Sequence, residues 1–172
     1  DDVIVLLAPS QYPPNLISRL GLSAQDSVAT NEFSPDIQHT FGEEWQEFPE
    51  LLAEHQAEFE GYFDIVDMDS LRDKRVCDLG CGNGRWADQL RGKAKELVLV
   101  DFSEAVFVAR RNLAGANNAL FFMADIKQLP FQEDLILFLR ESVIRSKPTD
   151  QAVNLEAELL WWEKLETMNG II

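Results

Sequence analysis

Val76-Cys77-Asp78-Leu79-Gly80-Cys81-Gly82-Asn83-Gly84 is the stretch that decides the fold of this 172-residue chain. A short apolar run passes straight into three glycines at alternate positions, and then into a helix-forming stretch, Arg85 to Arg91, closed by Gly92. Each glycine can take a positive φ or let a ligand approach the backbone where a Cβ would clash. A dinucleotide fingerprint has the spacing G-x-G-x-x-G, whereas here the third glycine falls one position early, at Gly84, and Arg85 stands where that motif wants a small residue. A P-loop needs a Lys-Ser/Thr pair after its last glycine, and Arg85-Trp86 is not one. Asp78 argues further against a phosphate, because its carboxylate would repel one and suits a ligand with an amino group.

Working outward, short apolar runs alternate with amphipathic stretches from Lys74 onward, the layout of parallel βαβ units. Strands are expected at Val76 to Leu79, Leu97 to Val100 and Ala119 to Met123. They are apolar almost throughout, as suits a parallel sheet with helices on both faces. Ser103 is placed to N-cap a helix with the inner face Val106, Ala109 and Leu113, the basic last turn Arg110-Arg111 and a stop at Gly115. Asp101 ends the second strand and can accept hydrogen bonds from both hydroxyls of a ribose, while Phe102 offers a face for a purine. Asp125 follows the third strand and can accept from an exocyclic amine. Three acids at three successive strand ends all face the carboxyl edge of the sheet, where open α/β folds bind ligands. Amine, ribose and adenine without a phosphate describe S-adenosylmethionine.

With these residues in view, Val76 to Trp86, Leu97 to Phe102, and Met123-Ala124-Asp125-Ile126 through Leu129-Pro130-Phe131 resemble the class I S-adenosylmethionine-dependent methyltransferases of small-molecule type. The resemblance covers residues 40 to 134 and its motifs are specific in combination. It implies that Asp78 and the loop of Gly80, Cys81, Gly82 and Gly84 hold the methionine moiety, and that Asp101 binds the ribose hydroxyls. Phe102 would pack on the adenine, with Asp125 and Ile126 reading its amino edge. Thr40-Phe41-Gly42-Glu43-Glu44-Trp45 also resembles the aromatic segment that some of these enzymes place before the domain, over the cofactor.

Thirty acidic against fifteen basic residues give a formal charge of -15. Between Arg19 and Arg72 there is no Lys or Arg, and the thirteen acids from Asp26 to Asp69 carry -13 of that total. The binding core is therefore nearly neutral, and the acid belongs to an N-terminal cap expected to face the acceptor. The cap opens with loop chemistry at Pro9, Pro13, Pro14, Gly21 and Pro35 and is expected to turn helical around Pro49, with Leu52, His55, Phe59 and Phe63 at helical spacing. Nucleic acid and anionic membrane are poor partners for this charge, and no apolar run approaches the roughly 18 residues of a membrane span. Cys77 and Cys81 lie at C-x3-C spacing with no second Cys pair, so they read as packing residues, and no metal is expected. His39 and His55 could serve as a general base, but in so acidic a stretch they read as surface residues. Leu155, Leu159, Trp161, Trp162, Leu165 and Met168 make the apolar face of a C-terminal helix.

The family pattern breaks after Asp134, where Leu135 to Leu139 follows at once. A seven-stranded domain takes roughly 100 residues after its third strand, and 47 remain after Asp125. Leu135 to Leu139 is accordingly expected to be the fifth strand, with at least one strand-helix unit missing before it. The chain opens on Asp1 without an initiator Met or signal-peptide pattern and stops at Gly170-Ile171-Ile172, as a fragment would. The expected organisation is a loop and acidic helical cap over residues 1–70, then a Rossmann-like α/β core over residues 71–172 with a gap in the pattern near 134/135. The expected function is cytoplasmic methyl transfer from S-adenosylmethionine to an O, N or C atom of a small-molecule acceptor, leaving S-adenosylhomocysteine. No catalytic base can be named. The rival is a catalytically silent S-adenosylmethionine-binding regulatory or scaffold protein.

Overall fold

The strands expected after Lys74 form as read. A computed structural model describes residues 2–23, 35–64, 66–130 and 135–139. In chain order its elements are β1 (Val3–Val5), α1 (Pro14–Leu20), α2 (Pro35–Glu47), α3 (Glu54–Tyr62), β2 (Arg75–Leu79), α4 (Arg85–Gln89), β3 (Glu96–Asp101), α5 (Ala105–Asn112), β4 (Ala119–Met123) and β5 (Leu135–Leu139). Short 3-10 turns stand at Pro9–Gln11, Met68–Leu71 and Ile126–Gln128. The chain divides into units at 1–138 and 139–172, and the C-terminal tryptophan helix expected around Trp161 lies outside the described residues.

The sheet order is β1-β4-β3-β2-β5. β2 pairs parallel to β3 with Asp78 opposite Leu99, and β3 pairs parallel to β4 with Asp101 opposite Met123. The α/β, Rossmann-like reading is thus what the backbone adopts. Two strands differ from expectation. Val3–Val5, inside the segment read as loop and cap, pairs parallel with Phe121 to Met123 at the β4 edge, so the sheet draws a strand from before the expected 70/71 boundary. Three residues are too few for a periodicity, and only the free edge of β4 identifies them as a strand. Leu135–Leu139 stands beside β2, the place of the fourth strand in a 3-2-1-4-5 order and not that of the fifth.

The prolines of the cap start helices where the sequence reading took them for loop signals. Pro14 opens α1 and Pro35 opens α2, positions where the missing N–H costs nothing and the fixed φ suits the helix. Gly21, at φ 66°, closes α1 in a left-handed cap. Pro49 follows the end of α2, and α3 begins after it at Glu54, with Leu52 exposed ahead of the helix and Phe63 as its C-cap.

Apolar residues of α3, α4 and α5 pack on one face of the sheet, where Phe59, Trp86, Leu90, Val106, Ala109 and Leu113 meet Val76, Leu97, Leu99 and Phe121. The opposite face buries Cys77, Leu79, Val98, Val100 and Ala124, with Phe122, Ile126 and Leu129 against them. Trp86 joins cap to core: Phe59, Tyr62 and Phe63 of the α3 segment all surround its ring, at 6.1 Å between centroids in each case. Truncating this buried indole removes the contacts by which α3 is held. Trp86→Ala is expected to cost about 3–5 kcal/mol, read as a lower midpoint in urea unfolding.

Candidate functional site

At the carboxyl edge the glycine loop leaves β2 and is hooked onto the end of β3. The N–H groups of Gly80 and Cys81 both donate to the carbonyl of Val100, at 2.7 and 3.0 Å. Gly80, Gly82 and Gly84 have φ of 72°, 52° and 83°, the left-handed region that only glycine enters freely. Their roles differ. A Cβ on Gly80 would meet nothing within 4 Å, so open space lies before the loop. A Cβ on Gly84 would lie 2.6 Å from Leu113 Cδ1 and 3.2 Å from Ala109 Cβ, so this glycine lets the loop close onto α5. Asn83 accepts the Arg85 N–H on its side-chain oxygen at 3.2 Å as α4 begins.

Asp101 braces this loop from the next strand. Its Oδ2 accepts the Gly82 N–H at 2.9 Å, and its Oδ1 accepts the Ser103 N–H at 2.9 Å and the Ser103 hydroxyl at 2.7 Å. Ser103 Oγ in turn accepts the Ala105 N–H at 3.2 Å, so the expected capping residue serves the start of α5 and the carboxylate together. Asp101 is buried. With about four acceptor positions on a carboxylate, three are already taken by protein donors.

The other expected residues gather along the same edge. Asp78 is buried within β2. Phe102 follows Asp101 and is half-buried, with Phe41 of α2 edge-on to it at 6.4 Å. Asp125 and Ile126 are half-buried after β4, where the Ala124 N–H donates to the Asp101 carbonyl at 2.9 Å. The Thr40–Trp45 stretch lies in α2, whose first half adjoins Phe102 and Ser103 while the helix packs along α5.

Several residues that the sequence reading passed over tie the cap to the loop. Asn112 Nδ2 donates to the carbonyls of Pro49 at 2.7 Å and Asn83 at 2.9 Å. Asn83 Nδ2 donates to the Glu50 carbonyl at 3.4 Å. Arg85 lies over Trp86 at 4.4 Å and Trp45 at 5.9 Å, and pairs with Glu58 at 3.8 Å. Gln38 Nε2 donates to the carbonyls of Phe102 at 2.6 Å and Gln11 at 3.2 Å. Lone amides bonding to distant carbonyls carry no spacing signal.

His39 is exposed, 3.4 Å from Glu43, as expected. His55 is buried, against expectation, and its Nδ1 accepts the Leu52 N–H at 3.1 Å, a local cap at the start of α3 that explains its place. Neither is among the strand-end residues of the carboxyl edge. Cys77 and Cys81 are buried thiols, and no group of three or more His, Cys, Asp or Glu suited to a metal is found among the described residues.

Comparison with known proteins points to the same class. Residues 76–158 match the family model for a methyltransferase domain. The chain is similar to a demethylmenaquinone methyltransferase of Clavibacter sepedonicus, 39% identical over 62 residues, a match that covers 36% of this chain and 25% of that protein. The chain thus matches about a quarter of the length of this curated relative. Both findings bear out the resemblance to the class I S-adenosylmethionine-dependent methyltransferases. No helix among the described residues is long and apolar enough to cross a membrane.

Two consequences can be measured. Gly84→Ala combines a left-handed backbone with a methyl pressed on Leu113 and Ala109, and is expected to cost about 2–4 kcal/mol in denaturant unfolding. Burial, aided by the neighbouring Asp78 carboxylate, pushes the Cys77 thiol up to about 12 from an ordinary 9.0. The folded state therefore keeps a proton that the unfolded chain releases, so this group's contribution is intact below about pH 9 and is lost as pH rises toward 12. Unfolding free energies of wild type and Cys77→Ala, compared from about pH 8 to about pH 10.5, should converge as pH rises.

Proposed function

We propose that this protein transfers a methyl group from S-adenosylmethionine to an O, N or C atom of a small-molecule acceptor. The observation that carries the proposal is the glycine loop with open space before Gly80, braced through Gly82 by the strand-end acid Asp101. The residues present suit the cofactor. Asp78 and the Gly80–Gly84 loop would hold its amino-acid end, Asp101 its ribose, and Phe102, Asp125 and Ile126 its adenine.

When bound, the cofactor supplies a methyl made electrophilic by its sulfonium. The chain's own part is to position. The loop's left-handed glycines keep Cβ atoms out of the approach. Asp101 keeps one acceptor position beyond those given to Gly82 and Ser103, so one ribose hydroxyl reaches it directly unless the Ser103 hydroxyl turns away. Holding an acceptor in line with the methyl is itself the larger part of such catalysis.

The acceptor class rests on charge. The described cap carries exposed acids, among them Glu43, Glu44 and Glu47 on α2, and a polyanion would be repelled by them. A small organic acceptor also agrees with the printed name of the relative, whose acceptor is a demethylmenaquinone.

Calorimetry with S-adenosylhomocysteine tests the cofactor reading. The wild type is expected to bind, and Asp101→Ala to lose at least about ten-fold in affinity, the range for hydrogen bonds to a charged group. Unchanged affinity in the variant would defeat the assignment. A labelled-methyl assay on small molecules, and on RNA and DNA, tests the acceptor: transfer to nucleic acid would overturn the small-molecule reading, and binding without turnover on any acceptor would favour the silent module.

A further inference from the structure

We propose that Gln38, which is not among the residues expected to touch the cofactor, is a positioning residue that sets Phe102 for the adenine. This inference rests on the cofactor reading above and adds to it a residue outside the α/β core.

Gln38 is buried, at 3% exposure, near the start of α2. Its Nε2 gives hydrogen bonds to two backbone carbonyls in separate segments, that of Phe102 after β3 at 2.6 Å and that of Gln11 in the N-terminal 3-10 turn at 3.2 Å. Gln11 is itself buried, and its side-chain oxygen accepts the Ala8 N–H at 3.0 Å. A chain of hydrogen bonds therefore runs from the end of the β1 segment through the 3-10 turn and α2 to the loop that carries Phe102.

α2 and α1 hold this loop at three further points. Phe41, three residues along α2, is edge-on to the Phe102 ring. A Cβ on Gly42 would lie 3.6 Å from the Glu104 backbone N, so α2 closes on the loop there. Asn15 Nδ2 donates to Glu104 Oε2 at 2.8 Å. The Phe102 main chain is thus held from its carbonyl by Gln38 while its ring is bordered by Phe41, and the face left for a purine is decided from the cap. Asp101 needs no such help, because Gly82 and Ser103 belong to the core.

The arrangement predicts a chemical dependence on a donor at position 38. Gln38→Leu keeps the bulk but leaves the Phe102 carbonyl without this donor. Gln38→Glu keeps the shape, and donates only when its carboxyl is protonated. The wild type carries the same neighbouring Asp101 and Glu104 carboxylates and serves as the control at each pH.

Affinity for S-adenosylhomocysteine, measured by calorimetry at about pH 8 and about pH 5.5, reads this out. Gln38→Leu is expected to bind about ten-fold more weakly than wild type at both pH values. Gln38→Glu is expected to lose at least as much at the higher pH and to recover toward wild type at the lower. It should show no such recovery in a Phe102→Leu background, where a purely structural role would still produce one. In a Phe102→Leu background, Gln38→Leu should add little further loss, because both act on one ring. Wild-type affinity in both Gln38 variants, absence of recovery in Gln38→Glu, or additive losses with Phe102→Leu would overturn the inference while leaving the cofactor reading intact. Failure of the wild type to bind would overturn both. Should Gln38→Leu not fold, the pH response of Gln38→Glu decides alone.

Discussion

The Asp101 carboxylate is the constraint on which the site depends. One oxygen holds the Gly82 N–H and the other holds Ser103 through main chain and hydroxyl, so the glycine loop after β2 and the turn after β3 are fastened to one charged group. Hydrogen bonds to an ionised acceptor are stronger than neutral ones, and burial excludes competing water. The loop's positive-φ backbone would otherwise be poorly held, since glycines have the most conformational freedom to lose. The acid expected to meet the ribose is therefore also the group that shapes the cradle in which the ribose would lie.

The N-terminal segment completes the site from outside the core. α2 packs along α5 and α3 packs on α4, placing cap residues against the two helices that follow β2 and β3. Asn112 and Asn83 bond to carbonyls of the α2–α3 connection, while Trp86 is enclosed by the aromatic rings of the α3 segment. These contacts are made by side-chain amides and rings, not ion pairs, so the acids of the described part of the cap are left largely to solvent. Glu58 with Arg85 is an exception, at 3.8 Å.

Much of the core was legible because its signals are local. The strand ending at Leu79, the glycines that follow it, the acids at or near the strand ends and the helix after Ser103 are each read from a few neighbouring residues, and each has a physical reason that needs no partner. The cap was legible only in part. Proline at 14 and 35 suits a loop or a helix start equally until the next turn is seen to pack, and His55 could not be separated from a solvated histidine before Leu52 was found against it. The three residues of β1 have no pattern of their own.

The chain by itself determined a parallel α/β core, a glycine loop unsuited to phosphate, and three acids at successive strand ends, because strand periodicity, glycine φ and carboxylate charge act over a few bonds. Only the tertiary structure decided that Val3–Val5 lies in the sheet, that Leu135–Leu139 stands beside β2, that Asp101 is already committed to Gly82 and Ser103, and that Gln38 holds the Phe102 carbonyl. Those are pairings between residues far apart in the chain. A lone donor or a three-residue strand has no local signature, and its partner becomes known only when packing brings the two together.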